Sequence, residues 1–249
     1  RIHGARRIDI NAPIVDNTAG GITNAVSLTT DGTVVINAIA TYSGDTVINS
    51  GLLQTGSGNN RLPTNSVITV NGNGRLQLNT RDQTIGGLQG IGFVENENTS
   101  NPANDSILTI DVTNAASSYT FMGTLRDRSV RTPTNAPLRL VKAGPGTQYL
   151  GGTNLFTGGT TVNGGSLIAT HPLAFPVFSN AAHVGIAPAD LSMWQNMTAN
   201  SNGTLAVRGG RANEWQPGEI DVFRSNAVFN AGSYFGIDVD TGQTFAYGS

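Results

Sequence analysis

Short runs in which apolar and polar residues alternate recur along almost the whole chain, and glycine and asparagine separate them. GTVVIN from residue 32, DTVINSGLL from 45, NSVITVNG from 65 and GRLQLN from 74 show the pattern early. DSILTIDV from 105, GTQYLGG from 146, GTTVNGGSLI from 159 and GTLAVRGG from 203 continue it. A period of two predicts strands with one buried face, because successive strand side chains point to opposite sides. Gly and Asn at the breaks predict sharp corners, since both tolerate the left-handed backbone conformation. Short strands spaced about 8–12 residues apart suggest an all-β fold: a β-sandwich or jelly roll, a barrel, or a β-solenoid.

A repeat favours the solenoid. Residues 28–53 lie over 142–167 without a gap, at an offset of 114. Gly32 meets Gly146, Gly44 meets Gly158 and Gly51 meets Gly165, while Ile48 meets Val162, Asn49 meets Asn163 and Leu53 meets Leu167. NGNGRLQL at 71–78 then matches NSNGTLAV at 200–207 at an offset of 129, so the second copy carries 15 more residues between its blocks, near 169–198. A linker would not hold glycine on glycine and apolar on apolar over 26 residues. A unit that cannot bury its apolar face alone must stack on its neighbours. The six matched glycines are therefore expected to be structural corners. Two unequal units are expected, 8–127 and 128–249, the second interrupted at about 169–198. At about 20 residues per coil and about 4.8 Å between coils, the chain would form on the order of 12 coils and a rod roughly 55–60 Å long.

The segment 138-LRLVKAGPGTQYLGGTNLFTGGTTVNGGSLIA-169 resembles the autotransporter-associated β-strand repeat, also called the passenger-associated transport repeat. The first copy is similar but carries Asp45 and Ser50 where the motif has glycines. The stretches 84–97, 106–112 and 119–127 resemble parts of a longer unit of that family. The tail 213–249 is similar to segments of very long repeat proteins from Planctomycetes and Verrucomicrobia. The resemblance implies a right-handed parallel β-helix in a bacterial protein that is secreted or displayed on the cell surface. It brings no catalytic residues.

Composition sharpens this picture. Only 12% of the 249 residues are charged, about half the usual share, and 32 are glycine. A net charge of -2 gives no electrostatic footprint for nucleic acid. The absence of cysteine excludes disulfides, thiolate nucleophiles and Cys-based zinc sites. No apolar run is long enough to cross a membrane as a helix. The end GIDVDTGQTFAYGS shows no capping signal, which predicts continuation into more chain or a neighbouring subunit.

Candidate chemistry is sparse. The glycine-rich blocks lack the phosphate-binding G-x-x-x-x-G-K-[ST] spacing. His3, His171 and His183 have no metal-ligand spacing. Asp238 and Asp240 are expected to share one strand face, as are Glu95 and Glu97. Tyr42, Phe93, Phe121 and Phe156 are expected inside the coils. Trp194 and Trp215 are possible glycan contacts, although burial under a loop is the commoner fate of tryptophan. Glycosylation sequons stand at Asn98, Asn104, Asn196 and Asn202. No catalytic residue, cofactor or metal site is assigned. The expected function is an extracellular structural solenoid (a fibre, filament or surface-layer element) that self-associates head to tail or joins neighbouring repeats. An adhesin binding glycans and a β-helix polysaccharide lyase or hydrolase are the alternatives.

Overall fold

The computed structural model describes residues 7–19, 22–24, 28–97, 104–127, 136–176 and 196–248. Three sheets run side by side along one axis. The long sheet holds nine strands: Leu28–Thr30, Thr46–Ile48, Val67–Val70, Gly87–Gly90, Ser118–Phe121, Thr147–Leu150, Gly165–Ala169, Gly203–Arg208 and Tyr234–Asp238. The second holds Arg7–Ile10, Thr33–Ile36, Leu52–Thr55, Arg75–Gln77, Phe93–Glu95 and Thr124–Arg126. The third holds Gln83–Ile85, Ser106–Asp111, Leu138–Ala143, Thr160–Val162, Met197–Ala199 and Val228–Phe229. From residue 83 the chain passes from the third sheet to the long sheet to the second and round again, each strand pairing in parallel with the one a coil earlier. This is a parallel β-helix. The sandwich and jelly-roll alternatives are excluded, because those folds pair antiparallel strands. Among the described residues, the antiparallel ladder is that of Asn17–Ala19 with Ile22–Asn24.

Among the described residues the long sheet has nine rungs, fewer than the roughly 12 coils expected. Leu28 to Tyr234 covers 206 residues in eight steps, about 26 per coil, and the stack is about 38 Å long at 4.8 Å per step. Coils are longer than expected because they are not pure strand. The first three coils have no third-sheet strand and close through 37–45 and 56–66 instead. The second sheet ends at Arg126, bridged to Leu155, and beyond it that side is filled by a 3-10 turn, Pro172–Ala174, and a helix, Pro217–Asn226.

Inward positions form one core. Ile48, Val70, Leu88, Phe121, Leu150, Val162, Leu167 and Leu205 are all fully buried in it. Each such side chain contributes about 1.5–3 kcal/mol. Tyr42 and Phe156 lie inside as expected, and Tyr42 donates to or accepts from Thr46 Oγ1 at 2.6 Å. Burial pushes the Tyr42 phenol up to about 12. Phe93 does not lie inside: it sits on the outer face of the second sheet with the Arg126 guanidinium 4.4 Å from its ring centre. Pairing also crosses residue 127, where Ser106–Asp111 meets Leu138–Ala143, so the two sequence units share a single core.

The long sheet has one flaw. Gly87–Gly90 and Ser118–Phe121 pair only at Gly90 and Phe121. The Tyr119 ring approaches so closely that a Cβ on Gly87 would lie 2.4 Å from it. Gln148, fully buried one coil later, repairs the gap. Its Nε2 donates to Leu88 O at 2.8 Å, and its Oε1 accepts from the Leu88 N–H at 3.2 Å.

Candidate functional site

The repeated motif builds a corner. Gly51 and Gly165 have φ values of 75° and 60°, and a Cβ on either would fall 2.4 Å from Gly32 O or 2.3 Å from Gly146 O. Only glycine fits such an approach. The next amide in each copy, Leu52 or Ser166, donates to that same carbonyl at 2.9 or 3.2 Å. Gly158 is equally tight, with its virtual Cβ 2.4 Å from Leu138 O, and Gly44 O accepts from Ser66 Oγ at 3.0 Å.

The two copies do not occupy the same corner. In the first, the strands flanking the glycines belong to the long and second sheets; in the second copy they belong to the third and long sheets. The motif has moved back by one side of the coil. It is seated wherever two strand-bearing sides exist, first before the third sheet starts and later after the second sheet ends. An asparagine ladder marks both corners. Asn71 Nδ2 donates to Asn49 Oδ1 at 3.1 Å, and in the second copy Asn200 donates to Asn163 at 2.7 Å and Asn230 to Asn200 at 2.6 Å.

The described residues that flank 98–103, 128–135 and 177–195 stand between the second and third sides of the coil. A buried polar side chain pins the described flank of each. Asn96 Nδ2 donates to the carbonyls of Asn104, Ala136 and Pro137, and its Oδ1 accepts from the Thr80 N–H and Ser106 Oγ. Asp127 accepts from the Leu138 N–H at 2.8 Å, the Thr157 N–H at 3.0 Å and Thr157 Oγ1 at 2.8 Å. Burial nevertheless raises its carboxyl above the ordinary range. Asn154 accepts from the Leu125 N–H and donates to Ala174 O at 2.7 Å. These bonds satisfy backbone groups that leave the ladders at these flanks, where an orphaned polar group costs about 1–3 kcal/mol. Sequence reading missed all three, since a lone Asn or Asp reads as a turn residue.

The carboxylate pairs do share faces, each matched by arginine. Arg75 reaches Glu95 at 2.5 Å and Glu97 at 3.2 Å, and Arg126 reaches Glu95 at 2.8 Å. Arg208 reaches Asp238 at 2.6 Å and Asp240 at 3.2 Å, while its guanidinium lies 4.9 Å from the Tyr149 ring centre. Such pairs tie successive coils together across their outer faces. Lys142, at the position of Leu28 in the first copy, is fully buried and donates to the carbonyls of Ala143, Gly144 and Gly164 at 2.5, 2.8 and 3.2 Å. Burial lowers its pKa to about 8, against the pull of Asp111.

Trp215 is fully buried, edge-on to Phe175 at 5.9 Å and tilted against Phe223 at 5.4 Å, so its indole offers no exposed platform for a sugar. The cluster it anchors lies under the helix, whose Gln216 N–H donates to Glu219 Oε2 at 2.9 Å. Trp194, His3, His183 and Asn98 lie outside the described residues. His171 precedes the 3-10 turn. Asn104, Asn196 and Asn202 are exposed. Among the described residues, no three His, Asp or Glu side chains are grouped to hold a metal ion.

The passenger-associated-transport-repeat model matches residues 31–58 and 140–169, the same two corner-building stretches. No curated protein and no solved structure matches the chain. The repeat implies a β-helical segment of a secreted or surface-exposed protein, in the manner of an autotransporter passenger. The chain thus carries two matches to the passenger-associated-transport repeat, one seated on each of two neighbouring corners of a parallel β-helix.

Proposed function

We propose that this segment is a non-enzymatic structural stalk at the bacterial cell exterior, which spaces and holds out chain segments along one corner. The observation that carries this reading is that the described flanks of 98–103, 128–135 and 177–195 stand in line between the second and third sides, pinned by Asn96, Asp127 and Asn154. Repeat proteins collect their insertions on one face, often the binding face, because the stacked coils leave no room for them elsewhere. The stack itself suits a stalk, since backbone ladders and apolar ranks need no cofactor.

End-to-end assembly is the finer part of the proposal. The outer strands of the long sheet, Leu28–Thr30 and Tyr234–Asp238, pair on one side only among the described residues. Unpaired strand edges are templates for further strands, here the next repeats of the same protein or a second copy. Limited proteolysis with mass spectrometry tests the stalk: cuts confined to 98–103, 128–135 and 177–195 are expected, and early cuts within the ladders would sink it. Sedimentation over a hundredfold concentration range tests assembly, which a constant monomer mass would refute.

A further inference from the structure

The outer face of the third sheet carries a groove of about 330 Å³. One rank of outward side chains, Val141, Thr161 and Thr198, forms its floor. The neighbouring rank runs Ile107, Arg139, Gly159, Asn196, and at Gly159 a side chain is missing. Gly159 has φ 90°, and a Cβ there would meet Asn196 O at 2.7 Å, so the gap is built into the backbone. Arg139 and Asn196 face each other across it. The Arg139 Nε donates to Asp105 Oδ2 at 2.9 Å, while its two terminal nitrogens make no hydrogen bond among the described residues.

We propose that this groove binds one acidic sugar unit of an extended polysaccharide. Its volume is at the small end of ligand sites, room for about one ring and its substituents. The unused guanidinium fork matches a carboxylate in a two-bond geometry. The Thr161 and Thr198 hydroxyls and the Asn196 amide offer donors and acceptors for ring hydroxyls. Ile107 and Val141 supply the apolar patch that a sugar's C–H face requires. Among the described residues the groove is open, so a ring of a longer chain can enter sideways. Asp105 competes for the same guanidinium and weakens the site.

Calorimetric titration of the whole chain with trigalacturonate tests this, with maltotriose and N-acetyl-trialanine as neutral-sugar and carboxylate-peptide controls. Trigalacturonate is expected to bind at least tenfold more tightly than either control. Arg139→Gln should weaken it about tenfold, the loss of a charge-assisted contact at an exposed site. Thr161→Phe, which fills the floor from outside the core, should abolish binding, and Asp105→Asn should strengthen it. Far-UV circular dichroism checks that each variant folds. Equal binding of maltotriose or of the peptide, no binding of trigalacturonate at millimolar concentration, or indifference to Arg139→Gln would each overturn the assignment.

Discussion

Replacing Gln148 by leucine tests whether a side chain can stand in for a missing stretch of sheet. Leucine has nearly the volume of glutamine and would stay in the core, so little cavity energy enters. What disappears are the bonds to Leu88 O at 2.8 Å, to the Leu88 N–H at 3.2 Å and to Tyr149 O at 2.9 Å. Tyr149 O is a strand carbonyl with a second lone pair, whereas Leu88 sits where the ladder to Ser118–Phe121 is open. Two orphaned backbone groups cost about 2–6 kcal/mol together. The extra apolar burial returns about 1–2 kcal/mol. Central values leave a net loss of about 2–3 kcal/mol, or about 4–12 °C in melting temperature for a chain of this size. Thermal and urea melts measure it, with Gln89→Leu as control. Gln89 lies on the outer face and donates to Thr69 Oγ1 at 2.8 Å, so its loss should cost under about 0.5 kcal/mol. Amide exchange at Leu88 should also quicken by at least about 30-fold in Gln148→Leu, following the same free energy. If the two variants melt alike and Leu88 exchange is unchanged, the strands close up on their own and the reasoning fails.

Two further outcomes follow from the buried lysine and the corner glycines. Lys142 has a folded pKa of about 8, below its ordinary 10.5, so between these values the unfolded chain binds the proton more tightly and stability rises with pH. Lys142→Met should remove a gain of up to about 3 kcal/mol over that window, and parallel pH curves for the two proteins would contradict the assignment. Gly165→Ala places a Cβ 2.3 Å from Gly146 O at φ 60°, whereas Gly72→Ala at φ 46° meets nothing within 4 Å. The second should cost about 1–2 kcal/mol for its left-handed backbone alone, the first at least about 2 kcal/mol more by urea unfolding. Equal costs would mean that the corner does not depend on close backbone approach.

Much of the fold was legible because alternation reports directly which side chains face inward. All eight runs identified by pattern contain observed strands, and Val162 and Leu167 sit in the core as their matches Ile48 and Leu53 do. Pattern does not say which side of the coil a strand occupies. The one-side shift between copies and the coil count therefore had to come from pairing. Phe93 was misplaced for a related reason: an aromatic on a strand looks like core until a neighbouring arginine covers it from outside. The helix was hidden in a tail read as more repeat, although Pro217, Glu219 and the spacing of Ile220 and Phe223 carry a helix-start signal. Among candidate sites, the corner glycines were readable from their repetition. Asn96, Asp127, Asn154 and Gln148 were not, because each bonds to backbone 11–60 residues away and occurs once.

The shift of the repeat from one corner to the next has a consequence for how such rods grow. A motif that specifies two sides of a triangle leaves the third unspecified, so that side of its coil can change without disturbing the two that the motif builds. Because successive copies leave different sides open, the permissive side turns about the axis as the rod lengthens. Duplicating such a motif would then do more than add length. It would re-aim the next set of tolerated insertions by about a third of a turn, spreading whatever they carry around the circumference.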